Sequence, residues 1–249
     1  DYPVFAHLPF VMGQDNAKLS KRNGEVSIAW YRDKGFLPEA ICNYLALLGW
    51  SPGDDRENVT MKELTELFTV EKVHSSPARF DMKKLEAING DKIRALTIDE
   101  FLDWSLPFLT KAGVITGSAD EIALVKLALP LIQERIIMLS EVPAMLKFLF
   151  VKNFAVEADS VAKITDDASK QVLERSLKEL EPLATWTHES IEAALRSSLI
   201  EEMGLKPRIA FGAVRIATTG STISPPLFES MELLGKEASL ARIRAGIKL

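Results

Sequence analysis

Beyond its first thirty residues the chain is punctuated as a series of helices, and this constrains the fold more than any other feature. Proline favours the first helical position because its missing amide would go unbonded there, and glycine favours the position just past the end, where the backbone turns left-handed. Pro38 and Gly49 bracket a helix over Glu39 to Leu48, and Ile41, Tyr44, Leu45 and Leu48 fall at helical spacing, which predicts a core face. Thr60 with Glu63, Thr97 with Glu100, and Ser118 with Glu121 have the spacing of capping boxes. Asp81 and Gly90 predict the ends of another short helix, and the run from Glu121 to Leu139 predicts a buried helix that kinks or restarts at Pro130. Further helices are expected over about 141–151, 166–181, 188–203, 207–218, 226–234 and 237–247. Gly204, Gly220 and Gly235 are the stops, and Pro207 and Pro226 start two of these helices. The expected fold class is all-α, mainly helical, after an opening strand.

Composition narrows the class. The chain of 249 residues is 47% apolar and 26% charged, the balance of a globular protein. One cysteine, Cys42, excludes an internal disulfide framework and a multi-cysteine zinc site, and His7, His74 and His188 are too scattered for metal spacing, so no metal site is expected. No apolar run reaches the roughly 18 residues of a membrane span, and the opening D-Y-P-V-F-A-H-L-P-F lacks the basic start of a signal peptide, so a cytoplasmic protein is expected. The chain starts without methionine on an apparent strand, which reads as an internal cut. Net charge is −5, yet its distribution is uneven: residues 51–199 hold 18 basic against 25 acidic side chains, and residues 200–249 hold seven against five. The ends of the chain are therefore the better candidates for phosphate contact. Cys42 reads as packing beside an apolar face, and Trp50, Trp104 and Trp186 read as core.

The stretch A-K-L-S-K-R-N-G, residues 17–24, places two lysines, a serine, an arginine and a glycine in one loop. Ammonium groups neutralise phosphate oxygens while serine and glycine let the backbone approach, so such a loop can hold a polyphosphate; a solvated turn has the same composition. Its flanks are F-A-H-L-P-F-V-M-G (5–13) and Y-R-D-K-G-F-L-P-E-A-I-C-N-Y-L-A-L-L-G-W-S (31–51). Further on come E-L-F-T-V-E-K-V-H-S-S-P-A-R-F-D-M-K-K-L (66–85), I-N-G (88–90), R-I-A-T-T-G (215–220) and P-P-L-F-E-S-M-E-L-L-G-K-E (225–237). Together these strings resemble bacterial-type glutamyl-tRNA synthetases, with K-L-S-K-R in the place of the K-M-S-K-S signature of class I synthetases. Asn23 stands where the family usually has histidine, and Ala87 where many members have tryptophan.

The resemblance implies the C-terminal half of such an enzyme. Residues 1–96 would hold the end of the catalytic domain with its loop and the stem-contact region, and 97–160 and 161–249 the two helical anticodon-binding subdomains. ATP with magnesium and glutamate would form glutamyl-adenylate before transfer to tRNA. Lys21 would stabilise the departing pyrophosphate, with Lys18, Ser20 and Arg22 completing the ATP-binding loop. No H-I-G-H signature is present, and His7 reads as a structural strand-end residue, so the chain alone is not expected to activate glutamate. The implied partner is tRNA-Glu, with tRNA-Gln left open, and the family is usually monomeric. Arg135, Lys206, Arg208 and Arg215 are the candidate tRNA contacts, because arginine and lysine meet phosphates and arginine also reads unstacked bases. A stand-alone tRNA-binding module is the alternative, and a helical interaction scaffold a third reading that the density of matching strings disfavours.

Overall fold

The computed structural model describes residues 2–3, 5, 7–13, 17–19 and 27–249. The chain divides into two compact units, Asp1–Ser105 with Gln133–Glu141, and Leu106–Ile132 with Val142–Leu249. It is mainly helical, and the strands among the described residues are two residues each.

The first unit carries β1 (Val11–Met12), α1 (Ile28–Lys34), α2 (Pro38–Leu47), α3 (Met61–Leu67), β2 (Ala78–Arg79) and α4 (Met82–Ala95). β1 and β2 pair in parallel, Val11 opposite Ala78 and Met12 opposite Arg79. α2 opens on Pro38 as its sequence predicts, but the buried face is Ala40, Asn43 and Tyr44, while Leu45 is 51% exposed. The cause is the Asn43 amide. Its Nδ2 donates to the Glu57 carbonyl at 2.9 Å and its Oδ1 accepts from the Val59 amide at 2.7 Å. Positions 43 and 45 lie about 200° apart around a helix, so satisfying the buried amide turns Leu45 outward. Cys42 is exposed, against the packing expectation. Trp50 joins Val59 and Leu64 in a core cluster as expected.

α4 does not stop at Gly90. It continues to Ala95, with Ile88, Asn89, Lys92 and Ile93 buried on either side of the glycine. Burial of those neighbours supplies the helix with packing that outweighs glycine's cost of about 1 kcal/mol. The helix starts where predicted, because the Asp81 carboxylate accepts from the Lys83 and Lys84 amides at 2.9 and 3.3 Å. The Tyr44 hydroxyl accepts from the Asp81 amide at 2.5 Å, and burial pushes its phenol up to about 12. α2 is thereby tied to the head of α4.

α5 (Ile98–Lys111) has residues in both units. Trp104 on it is 42% exposed and so is not a core residue. α6 (Ala119–Ala128) ends before Pro130, and α7 (Pro130–Gln133) restarts there, as the sequence predicts. The helix stops at Gln133 rather than reaching Leu139. In the first unit the Gln133 Nε2 donates to the Ile93 and Leu96 carbonyls at 2.9 and 2.8 Å, claiming acceptors at the end of α4.

The second unit continues with α8 (Val142–Leu146), α9 (Ala158–Val161), α10 (Asp167–Leu180), α11 (His188–Leu195), α12 (Pro207–Thr219), α13 (Leu227–Leu234) and α14 (Lys236–Ile247). A π-helical stretch, Arg196–Glu202, prolongs α11. Leu173, Leu195, Leu199, Val214, Met231 and Ile243 belong to one buried cluster, and the half-buried Trp186 packs against it. At Gly246 an added Cβ would sit 3.1 Å from the Ala217 Cβ and 3.3 Å from Leu173, so glycine permits the close approach of α10, α12 and α14. Among the described residues no helix is long and apolar enough to cross a membrane.

The cap of α6 makes a pH prediction. One Glu121 oxygen accepts from the amides of Thr116, Gly117 and Ser118 and from the Thr116 hydroxyl, at 2.8–3.0 Å. The Ser118 amide first, and the Thr116 hydroxyl next, bring its carboxyl down from 4.5 to about 2. A depressed folded pKa stabilises above the unfolded value and loses that contribution as pH falls through the folded one. Melting temperature should therefore decline as pH is lowered from about 4.5 toward 2, and Glu121→Gln should flatten that decline. An unchanged pH profile in the variant would refute the capping role.

Candidate functional site

The lysine loop starts from a fixed base. The Leu19 amide donates to the Val11 carbonyl at 2.9 Å and the Gly13 amide to the Ala17 carbonyl at 2.8 Å, so the chain doubles back on β1. Lys18 stands on this base with its ammonium 4.0 Å from the centroid of the Phe10 ring. At that distance the ring's negative face attracts the cation and limits its range. Ser20, Lys21 and Arg22 lie outside the described residues. On the far side, the Ser27 hydroxyl accepts from the Trp30 amide at 3.1 Å and caps α1. Trp30, Tyr31 and Phe36 pack edge-on and stacked, with centroids 5.0–6.4 Å apart. α1 is thus held at both ends.

Arg135 lies in the first unit, exposed in the turn after α7. The other three candidates belong to the second unit and share α12. Lys206 is the N-cap residue and Arg208 is in the first turn; both are exposed, and no acidic residue occupies that turn. Two cations at the positive end of a helix dipole oppose helix stability and favour an arriving anion. Arg215 behaves differently. Half-buried, it donates through Nη1 to the Ser224 hydroxyl at 2.5 Å and the Pro225 carbonyl at 2.8 Å. It therefore braces the loop between α12 and α13, where Ile223 is 74% exposed.

Arg208 and Arg215 are seven residues apart, which puts them on one face and about 10 Å apart along the axis. Phe211 and Gly212 fall between them on that face. Phe211 is half-exposed, packs edge-to-face with Phe228 at 5.2 Å, and has the Arg196 guanidinium over it at 5.6 Å. Gly212 is half-exposed, and no neighbouring element comes within 4 Å of where its Cβ would be, so its backbone is open on that side. The sequence reading named the two arginines but missed Phe211, Gly212 and Arg196. The i, i+3, i+4, i+7 spacing of Arg208, Phe211, Gly212 and Arg215 was a usable signal. Cations, an aromatic ring and open backbone on one face can neutralise phosphates and stack an unpaired base.

The loop beyond Arg215 is anchored at its start. Gly220 closes α12 with φ at 85°, and an added Cβ would come within 3.2 Å of the Ala155 carbonyl oxygen and 3.3 Å of the Phe154 ring. The Glu157 amide donates to the Gly220 carbonyl at 2.9 Å, and the Thr219 hydroxyl donates to the Arg215 carbonyl at 2.8 Å.

Comparison with known proteins gives a family for each part of the chain. Residues 70–247 match the family model of an anticodon binding domain, which contains the α12 face, and residues 1–87 match that of the class I tRNA synthetase (E and Q) catalytic domain, which contains the lysine loop. The glutamate–tRNA ligase of Saccharopolyspora erythraea is 50% identical over 98% of this chain and 49% of its own length. That of Paenarthrobacter aurescens is 48% identical with the same coverage of each. The crystal structure of a glutamate tRNA ligase from Elizabethkingia meningosepticum superposes with a TM-score of 0.81 at 26% identity, over 100% of this chain and 52% of that one. The chain spans about half the length of the curated relatives it matches. Its family models, relatives and helical architecture converge, and the chain belongs to the glutamyl-tRNA synthetase family, with a segment of class I catalytic domain followed by an anticodon-binding domain.

Proposed function

We propose that this chain is the tRNA-docking part of an ATP-dependent glutamate–tRNA ligase that works in the cytoplasm as a monomer. Its face formed by Arg208, Phe211, Gly212 and Arg215 carries the reading, because it combines charge, an aromatic surface and open backbone beside a braced loop. Arg208 and Lys206 take phosphates. Arg215 with Ser224 presents the loop to the anticodon of tRNA-Glu, and tRNA-Gln is the other acceptor to test. Arg135 contributes a separate phosphate contact. Functionally, residues 1–96 serve the catalytic loop and the acceptor stem, and 97–160 and 161–249 serve the anticodon arm.

ATP is the phosphate substrate of the lysine loop. Lys18, Ser20, Lys21 and Arg22 supply donors of the right chemistry, and the Lys18 ammonium rests over the Phe10 ring. Magnesium at such sites is held mainly by phosphate oxygens and water, so it would arrive with the nucleotide.

Binding of labelled tRNA-Glu, compared with the same tRNA carrying a changed anticodon, tests the reading. Affinity should fall steeply with salt, since counterions are released when phosphates are neutralised. The double change Lys206→Ala with Arg208→Ala should reduce the slope of log K against log salt by about one to two, roughly one per phosphate contact. It should weaken binding of both tRNAs alike. An unchanged slope would remove these two residues from the interface. Selective binding without ATP–pyrophosphate exchange is the expected result for the chain by itself; an endogenous protein of this chain's mass, in place of one about twice as large as in the curated relatives, would favour the stand-alone binding module.

A further inference from the structure

We propose that Arg242, a buried residue of α14, is a positioning residue for the loop that Arg215 braces and thereby sets anticodon preference without touching tRNA. The inference rests on the reading of that loop as facing the anticodon. Arg242 is 8% exposed, and no carboxylate pairs with it among the described residues. Its Nη1 donates to the Thr218 carbonyl at 2.7 Å and its Nη2 to the Phe148 carbonyl at 2.8 Å, while its Cζ lies 3.9 Å from the centroid of the Phe154 ring.

Each of these contacts leads to the loop. Thr218 lies in the last turn of α12, where carbonyls have no partner within the helix and a cation both bonds them and complements the dipole. Two residues later, Gly220 begins the loop. Phe154, over which the guanidinium stacks, is the ring that presses on Gly220, and Glu157 just beyond it bonds the Gly220 carbonyl. One side chain thus fixes the end of α12 relative to the 148–157 segment on which the loop rests. From that fixed end, the Arg215 side chain reaches Ser224 and Pro225.

Burying a cation without a carboxylate costs free energy, and an apolar side chain of similar length would fill the volume at lower cost. Methionine cannot hold two carbonyls at a set separation or stack a planar cation on a ring, and those are the features that fix the loop. Burial lowers the guanidinium to about 10, so it stays charged at neutral pH.

The experiment compares Arg242→Met with the unmodified chain. It measures the ratio of Kd for tRNA-Glu and for the anticodon-changed tRNA, the salt slope, and helix content by circular dichroism. The expected result is a roughly tenfold smaller ratio, equal to about 1.4 kcal/mol of discrimination, with slope and helix content unchanged. A folded variant that keeps the full ratio would overturn the proposal. If Arg242→Met does not fold, Phe154→Leu decides. It keeps both carbonyl bonds but loses the stacked ring, and should reduce the ratio about threefold; an unchanged ratio there also overturns the proposal. If the unmodified chain shows no anticodon preference, the underlying reading of the loop fails first.

Discussion

Replacing Lys21 with alanine, in a polypeptide that joins this chain to a complete class I catalytic domain, is expected to lower ATP–pyrophosphate exchange by about 100- to 1000-fold. That is the usual loss when one preorganised donor to developing negative charge is removed from an excluded site. The lysine's charge would meet the phosphates as pyrophosphate leaves, so the loss should appear in kcat more than in KM for ATP. tRNA affinity should hardly change, because the proposed tRNA contacts on Lys206, Arg208 and Arg215 are on α12, far along the chain from the loop. Lys18→Ala should cost less, since its ammonium already has the Phe10 ring as a partner. A Lys21→Ala variant that loses tRNA binding as severely as exchange would show that the loop docks RNA and that its catalytic assignment is wrong.

Lys21 is proposed from a resemblance carried by neighbouring letters, and the fold shows which kinds of sequence signal hold. Local chemistry is legible because its partners are near in sequence. Thr60 with Glu63 and Ser118 with Glu121 form their capping boxes as spaced. Pro38 and Pro207 begin α2 and α12, and Gly204, Gly220 and Gly235 take positive φ of 65°, 85° and 85° past helix ends. What fails depends on a distant partner. Gly90 looks like a stop until the burial of its neighbours is known, and Leu45 looks like core until Asn43 is seen to bond residues 57 and 59. The pairing of β1 with β2 joins residues more than sixty positions apart, through strands too short to show alternation.

The proposed tRNA-binding surface divides along the same line. Arg208, Phe211, Gly212 and Arg215 are one helix face, so their association could be read at helical spacing, although only the arginines were. Arg196 and Phe228 come to Phe211 from other helical segments, and nothing in their spacing announces it. The bracing role of Arg215 was equally hidden: its string is recognisable, but Ser224 and Pro225 as partners are a product of the turn at Gly220.

Gly35→Ala is expected to give the largest loss of stability of any single methyl group added to the first unit, about 3 kcal/mol or more, by the mechanisms of backbone strain and overpacking. The residue ends α1 at φ 87°, where any side chain is strained, and its amide donates to the Arg32 carbonyl at 3.0 Å. A Cβ there would lie 2.6 Å from the Leu139 nitrogen and 2.7 Å from both the Leu139 Cβ and the Ser140 nitrogen. Two of those three atoms are backbone, and that backbone is pinned. The Leu139 amide donates to the Gly35 carbonyl at 3.2 Å, and the buried Asn89 amide joins both sides of the contact. Asn89 Oδ1 accepts from the Leu37 amide at 2.8 Å, and its Nδ2 donates to the Ile137 carbonyl at 2.6 Å. To admit the methyl group, the 137–140 segment must retreat and leave these buried groups unsatisfied, which adds a desolvation cost to the strain. Denaturant unfolding followed by tryptophan fluorescence, in a Trp186→Phe background that leaves Trp30, Trp50 and Trp104 of this unit as the reporters, would show it as a lower midpoint. Asn89→Ala should give a smaller loss of the same kind. If Gly35→Ala unfolds at the midpoint of the unmodified chain, the junction behind α1 is loose, and α1 is not fixed against the 137–140 segment.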